Sequence, residues 1–310
     1  MHSFKCLRRS VIAVAGLLLF MVAVGCSTTP RLPQQQSTVK NQASDQRQLG
    51  NSALRKNRIQ DAELFYRNAL QLSQSIDHAP GVVRSLLGVA AAAKRSGRLE
   101  LAEVMITQAQ TIAEREALDT LLARSYIQQA ELFLRQDDPN SAVDILVLAE
   151  RLSDKSSPEM ALVLHTRGAA LRRTGSYGDA AEALNNSIAI AENNKDTIAV
   201  ASSLYQLASV YAVQNRYDQA LQALFQSLER DHEMENAAGI GSTLEAVAAI
   251  YQRKEENRTA VVYYMRSYGV YQGIGDRGSL QRVAERLSTL TGQRVNEDGD
   301  KTIWEQLQDM

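Results

Sequence analysis

Residues 208–227 read ASVYAVQNRYDQALQALFQS, and the placing of Ala208, Tyr211, Asn215, Tyr217, Ala220, Leu224 and Ser227 within them decides the fold. Ala220 has counterparts at Ala62, Ala102, Ala142, Ala180 and Ala260, in steps of 40, 40, 38, 40 and 40 residues. Twelve residues before these alanines stand Gly50, Ala90, Ala130, Gly168, Ala208 and Ala248; seven after them stand Ala69, Ala109, Ala149, Ser187, Ser227 and Ser267. All eighteen positions are small. If one residue in six were alanine, six coincident alanines would arise roughly once in 50,000 alignments, so a single supersecondary unit is copied along the chain.

Small residues at fixed spacing are what two antiparallel helices need where their axes approach to about 8–10 Å, because a larger side chain there pushes the backbones apart. Large apolar residues then fill the flanks. Four residues after the alanines are Tyr66, Ile106, Leu146, Leu184, Leu224 and Tyr264, and nine before them are Ala53, Ala93, Phe133, Leu171, Tyr211 and Tyr251. These offsets have helical period. Five residues before the alanines, Asn57, Gly97, Asp137, Gly175 and Asn215 suit a helix end or tight turn, with Glu255 in the sixth copy. Each unit therefore reads as helix, turn, helix.

This small–aromatic–alanine–large–small pattern resembles the tetratricopeptide repeat over residues ~46–275. The resemblance implies an all-α, right-handed superhelical solenoid of six repeats at 46–275, closed by a capping helix at 276–292 and followed by a polar tail at 293–310. A standard repeat is about 34 residues long. The longer step here predicts one and a half extra helical turns plus a loop between the second helix and the next first helix. The 38-residue step loses its two residues in the same place, beside Ser156, Ser157 and Pro158. In the cap, Leu280, Val283, Leu287 and Leu290 keep the spacing of a first helix, and Thr291-Gly292 stops it. Tyr264, Tyr268 and Tyr271 form a stripe that either seals against this cap or stands exposed as a binding hot spot.

At the N-terminus, Lys5, Arg8 and Arg9 precede an apolar stretch from Val11 to Val24, the length of a secretory hydrophobic region and short for a membrane span. Its end, Ala23-Val24-Gly25-Cys26, resembles a bacterial lipobox. The resemblance implies a lipoprotein signal peptide at 1–25, lipidation of Cys26, and a flexible Ser/Thr/Gln/Pro-rich tether at 26–45. Ser27 after the cysteine implies retention at the periplasmic face of the outer membrane. The alternative is an ordinary signal or anchor segment with an incidental cysteine. Two acyl chains, each buried methylene contributing ~0.8 kcal/mol, make a permanent anchor.

The two cysteines are Cys6 and Cys26, so the processed chain has no second thiol for a disulfide or a zinc site, and His2, His78, His165 and His232 are dispersed. Neither metal nor cofactor is expected. The chain carries −1 at pH 7, and removal of Lys5, Arg8 and Arg9 leaves −1 − 3 = −4, unlike a non-specific nucleic-acid binder. Asn296, Asp298 and Asp300 open like a calcium loop, but Lys301 and Leu307 replace the required glycine and glutamate. The sequence has no Gly-rich phosphate loop, GxSxG elbow or HExxH. Binding, rather than catalysis, is the expected activity.

Seven residues before the alanines stand Arg55, Arg95, Arg135, Arg173, Val213 and Arg253. One account is helix-dipole compensation at the end of the first helix. In tetratricopeptide proteins, however, this position and those one, four, eight and eleven residues earlier face the concave groove. By that resemblance Arg84, Arg95, Arg124, Arg135, Arg172, Arg173 and Tyr205 line a basic groove suited to an extended acidic segment. A carboxylate clamp of the family's type is incomplete, with Arg47, Asn51 and Gly88 at its positions. The expected function is a lipid-anchored periplasmic adaptor for cell-envelope enzymes. The alternative is an assembly factor or pilotin of an outer-membrane machine, such as a type IV pilus secretin or the β-barrel insertion complex; an enzyme or ligand sensor with a solenoid body is a third reading. Trp304, in the tail, can dock on the chain itself or on a partner.

Overall fold

The computed structural model describes residues 34–292, with side chains from residue 38. Cys26, the leader and the segment 293–310 with Trp304 lie outside the described residues. The described residues form thirteen α-helices and no strand. They pair as α1 (Gln34–Arg55) with α2 (Ile59–Ser75), α3 (Ala79–Arg95) with α4 (Leu99–Arg115), α5 (Asp119–Arg135) with α6 (Pro139–Arg151), α7 (Pro158–Thr174) with α8 (Tyr177–Asn193), α9 (Thr197–Val213) with α10 (Tyr217–Glu233), and α11 (Ala237–Arg253) with α12 (Asn257–Ile274), followed by α13 (Arg277–Thr291). Each helix packs on the next from α2 to α13, the arrangement of a solenoid.

The small residues sit where helix crossings require them. The six anchor alanines are 0% exposed, and the other twelve small positions are also buried. The residue four after each anchor lies across the small residue twelve before it. A Cβ on Gly50 would come within 2.7 Å of the Tyr66 ring, and one on Gly168 within 2.5 Å of Leu184 Cγ. Where the residue seven after the anchor is serine, its hydroxyl donates to a carbonyl of the paired helix: Ser187 to Ala161 at 2.7 Å, Ser227 to Ala201 at 2.9 Å and Ser267 to Gly241 at 2.8 Å. These bonds let a polar atom occupy the crossing without a desolvation penalty.

Helix ends are equally regular. In the turns between helices, positive φ occurs at 57, 77, 97, 117, 137, 175, 195, 215, 235, 255 and 275, every 20 residues apart from one interval of 38, and Gly292 ends α13 in the same conformation. The turn after each second helix is thus as tight as the turn within each pair, so the expected inter-repeat loop is absent: the extra residues extend the helices, most of which are 17 residues long. The exception is the link 152–157, where α6 stops after 13 residues, and Ser157 caps α7 through Met160 N at 3.1 Å. Ala117 and Glu255 adopt the left-handed conformation without the residue types that favour it, because the helices on both sides fix the turn. Asp138, Asp196 and Asp276 cap their helices through backbone N–H groups three residues on, at 3.1, 3.0 and 3.2 Å.

One boundary differs from the sequence reading. Residues 34–45 belong to α1 rather than to a tether. Ala43, 2% exposed, stands nineteen residues before Ala62 and matches the buried Val83, Ala123, Ala161 and Ala201. The polar composition around Ala43 hides a helix held by one buried face. At the other end, Tyr264, Tyr268 and Tyr271 are buried in one cluster with Val283 and Leu287 of α13, so the tyrosine stripe seals the cap.

A candidate binding groove on the first helices

The first helices of successive pairs touch one another: α3 packs on α5, α5 on α7 and α7 on α9, closer than any two second helices approach. The array therefore curves with the first helices inside, and their free faces form the groove wall. Charged side chains bridge neighbouring first helices across this wall. Lys94, 4% exposed, bonds Glu131 at 2.5 Å and the Gln128 carbonyl at 3.3 Å. Arg124 pairs with Glu159 at 2.8 Å, and Arg282 grips Glu245 with two N–H groups at 2.8 and 2.9 Å. That two-pronged bond raises the Arg282 pKa.

The row of arginines seven residues before the anchors serves mainly the helix ends. Arg95 donates to the Leu54 carbonyl at 2.8 Å, Arg253 to the Ala212 carbonyl at 3.4 Å, and Arg173 to the Leu134 carbonyl, with Asp137 at 3.7 Å. Each acceptor lies near the C-terminal end of the preceding first helix, where carbonyls lack intrahelical partners. The arginines thus stitch consecutive first helices together, which no single repeat could reveal. Burial, then the neighbouring Arg135 charge, lowers the Arg95 pKa. Arg84 is exposed on α3.

Of the seven sequence-derived groove residues, Arg172 and Tyr205 line one open cavity. It measures about 880 Å³ and is walled by α7, α9, α11 and α13, with Arg253, Arg282, Arg286 and Glu245 among its lining. Four arginines against one glutamate give this lining a charge of 4 − 1 = +3. Arg172 Nε is itself buried, without a hydrogen-bond partner. Burial foremost, and then Arg173, lowers the Arg172 pKa. Burial likewise raises that of Tyr205. The sequence reading missed Glu245, Arg282 and Arg286. The i, i+4 pair on the cap helix beside its apolar face was the available signal. No group of three or more His, Cys, Asp or Glu side chains is placed to hold a metal ion among the described residues. No helix among them is long and apolar enough to cross a membrane.

Residues 159–233, covering α7 to α10, match the tetratricopeptide repeat family. No curated protein matches the chain. Among solved structures, a STAND signal-transduction ATPase with a tetratricopeptide repeat sensor from Pyrococcus horikoshii is similar with a TM-score of 0.60 and 12% identity, over 80% of this chain and 38% of that one. A Rap protein complexed with competence and sporulation factor gives 0.57 and 14%, over 80% and 74%. BtubC from P. vanneervenii gives 0.55 and 15%, over 76% and 92%. At such identities the likeness is one of fold. The described helices form a tetratricopeptide-type solenoid, whose concave face is an extended surface.

Proposed function

We propose that this chain is a lipid-anchored scaffold at the periplasmic face of the outer membrane that recruits cell-envelope proteins by holding an extended acidic segment in its groove. The observation that carries the reading is the +3 cavity, in which Arg172, Arg253, Arg282 and Arg286 converge with Glu245. A Rap protein of similar fold is known in complex with a factor, which supports the scaffold role. The anchor rests on the Ala23-Val24-Gly25-Cys26 order and on Cys26 being the one cysteine outside the leader.

The groove is tested with a short fluorescein-labelled Glu-rich peptide followed by anisotropy. The Arg172→Glu/Arg286→Glu variant weakens binding at least tenfold, a loss of about 1.4 kcal/mol, while far-UV circular dichroism is unchanged. Added salt weakens wild-type binding, since accessible charges are screened over about 8–10 Å. Equal affinity for wild type and variant, or for a Lys-rich peptide, would sink the groove reading. The anchor is tested separately. Cys26→Ser leaves the protein unprocessed or soluble in the periplasm; normal processing and recovery with outer membranes would refute lipidation.

A further inference from the structure

The two ends of the described solenoid come within side-chain reach of each other. Asn57, in the turn between α1 and α2, donates from Nδ2 to Asp276 Oδ2 at 3.5 Å, across 219 positions of sequence. Around this contact lies a second cavity of about 1050 Å³, distinct from the groove, between the first pair and the turns that open α11 and α13. Two of its lining residues, Ile198 and Ile274, are large aliphatics left 55% and 40% exposed. Its charged lining is Arg55, Lys56, Arg58 and Arg277 against Glu235 and Asp276, a sum of 4 − 2 = +2. Arg58 is held by Asp61 at 2.6 Å, whereas Arg55, Lys56 and Arg277 form no ion pair among the described residues.

We propose that this seam is the docking site of the chain's own segment 296–310, which clasps the first pair to the last. The argument is complementarity and reach, and it does not depend on what the groove binds. Residues 296–310 read NEDGDKTIWEQLQDM, with Glu297, Asp298, Asp300, Glu305 and Asp309 against Lys301, a sum of 1 − 5 = −4 opposite the seam's +2. Ile303, Trp304 and Leu307 supply the apolar surface that Ile198 and Ile274 lack. The path is short enough. α13 starts at the seam with Arg277 and ends at Thr291 after 15 residues, about 22 Å away. The twelve residues that follow Gly292, up to Trp304, span up to about 40 Å when extended, so the indole can return along α13 to the wall where that helix began.

Trp304 is the only tryptophan in the chain, so its fluorescence reports the surroundings of this segment alone. In the full chain at low concentration and low salt, the expected result is a blue-shifted emission poorly quenched by acrylamide. Two seam variants, Ile198→Asp/Ile274→Asp and Arg55→Glu/Arg277→Glu, each shift the emission to the red and raise the quenching constant several-fold. All four side chains are exposed, and circular dichroism verifies that each variant keeps its helix content. A wild-type indole already as quenchable as free tryptophan overturns the proposal, as does a shielded indole that neither seam variant releases. Release by Arg172→Glu/Arg286→Glu instead would place the segment in the groove and reject the seam. Shielding that disappears on dilution would reject docking within one chain.

Discussion

Leu184→Ala lowers the unfolding free energy by about 2–5 kcal/mol, the range for removing a fully buried leucine. Leu184 is 0% exposed and lies across Gly168, where an added Cβ would stand 2.5 Å from its Cγ. The void cannot be filled from the opposite side, because glycine has no side chain to move into it. That reasoning supplies an internal control. Gly168→Ala alone is destabilising, but in the Leu184→Ala background the same methyl enters the vacated space and gains helix propensity of about 1 kcal/mol over glycine. Urea unfolding of the four proteins gives a favourable coupling between the two sites. Additive effects would show that Leu184 and Gly168 do not share a crossing.

Ala220→Leu destabilises by about 1–3 kcal/mol for the opposite reason, too much volume. Ala220 is 0% exposed among Ala208, Leu224, Val247 and Ile250, in a cluster shared by α9, α10 and α11. Its added atoms have no open side to turn toward. Because stability in a repeat array is the sum of unit and interface terms, amide exchange accelerates first in α9 to α11, and α3 and α4 keep their protection. Uniform exchange acceleration throughout the chain, or a thermal midpoint equal to that of the parent, contradicts the crossing.

The helix pairs were legible because a crossing leaves a chemical trace in every copy: six alanines, six small residues before them and six after. The connections were less so. Asn57 and Gly97 announce a left-handed turn, but Ala117 and Glu255 adopt the same φ because the two helices they join demand it. α1 was misread from Gln34 onward because a single buried Ala43 in polar surroundings carries little pattern. Arg95 and Arg173 share a position in the sequence, and only the stacking shows that each reaches a carbonyl of the preceding first helix. The cavity around Arg172 needed four helices from separate repeats to appear at all. Periodicity thus describes what each repeat does for its neighbours. The groove depends on how several repeats add, and the seam on how all of them do.

The contact between Asn57 and Asp276 gives the array something that an open solenoid lacks, a way of counting. Excising one 40-residue unit would join two units of the same pattern into a new interface, yet it would carry Asp276 out of register with Asn57; duplicating a unit would do the same from the other side. Among the described residues, six pairs and α13 bring these two side chains within reach of each other, so a change in copy number would separate them.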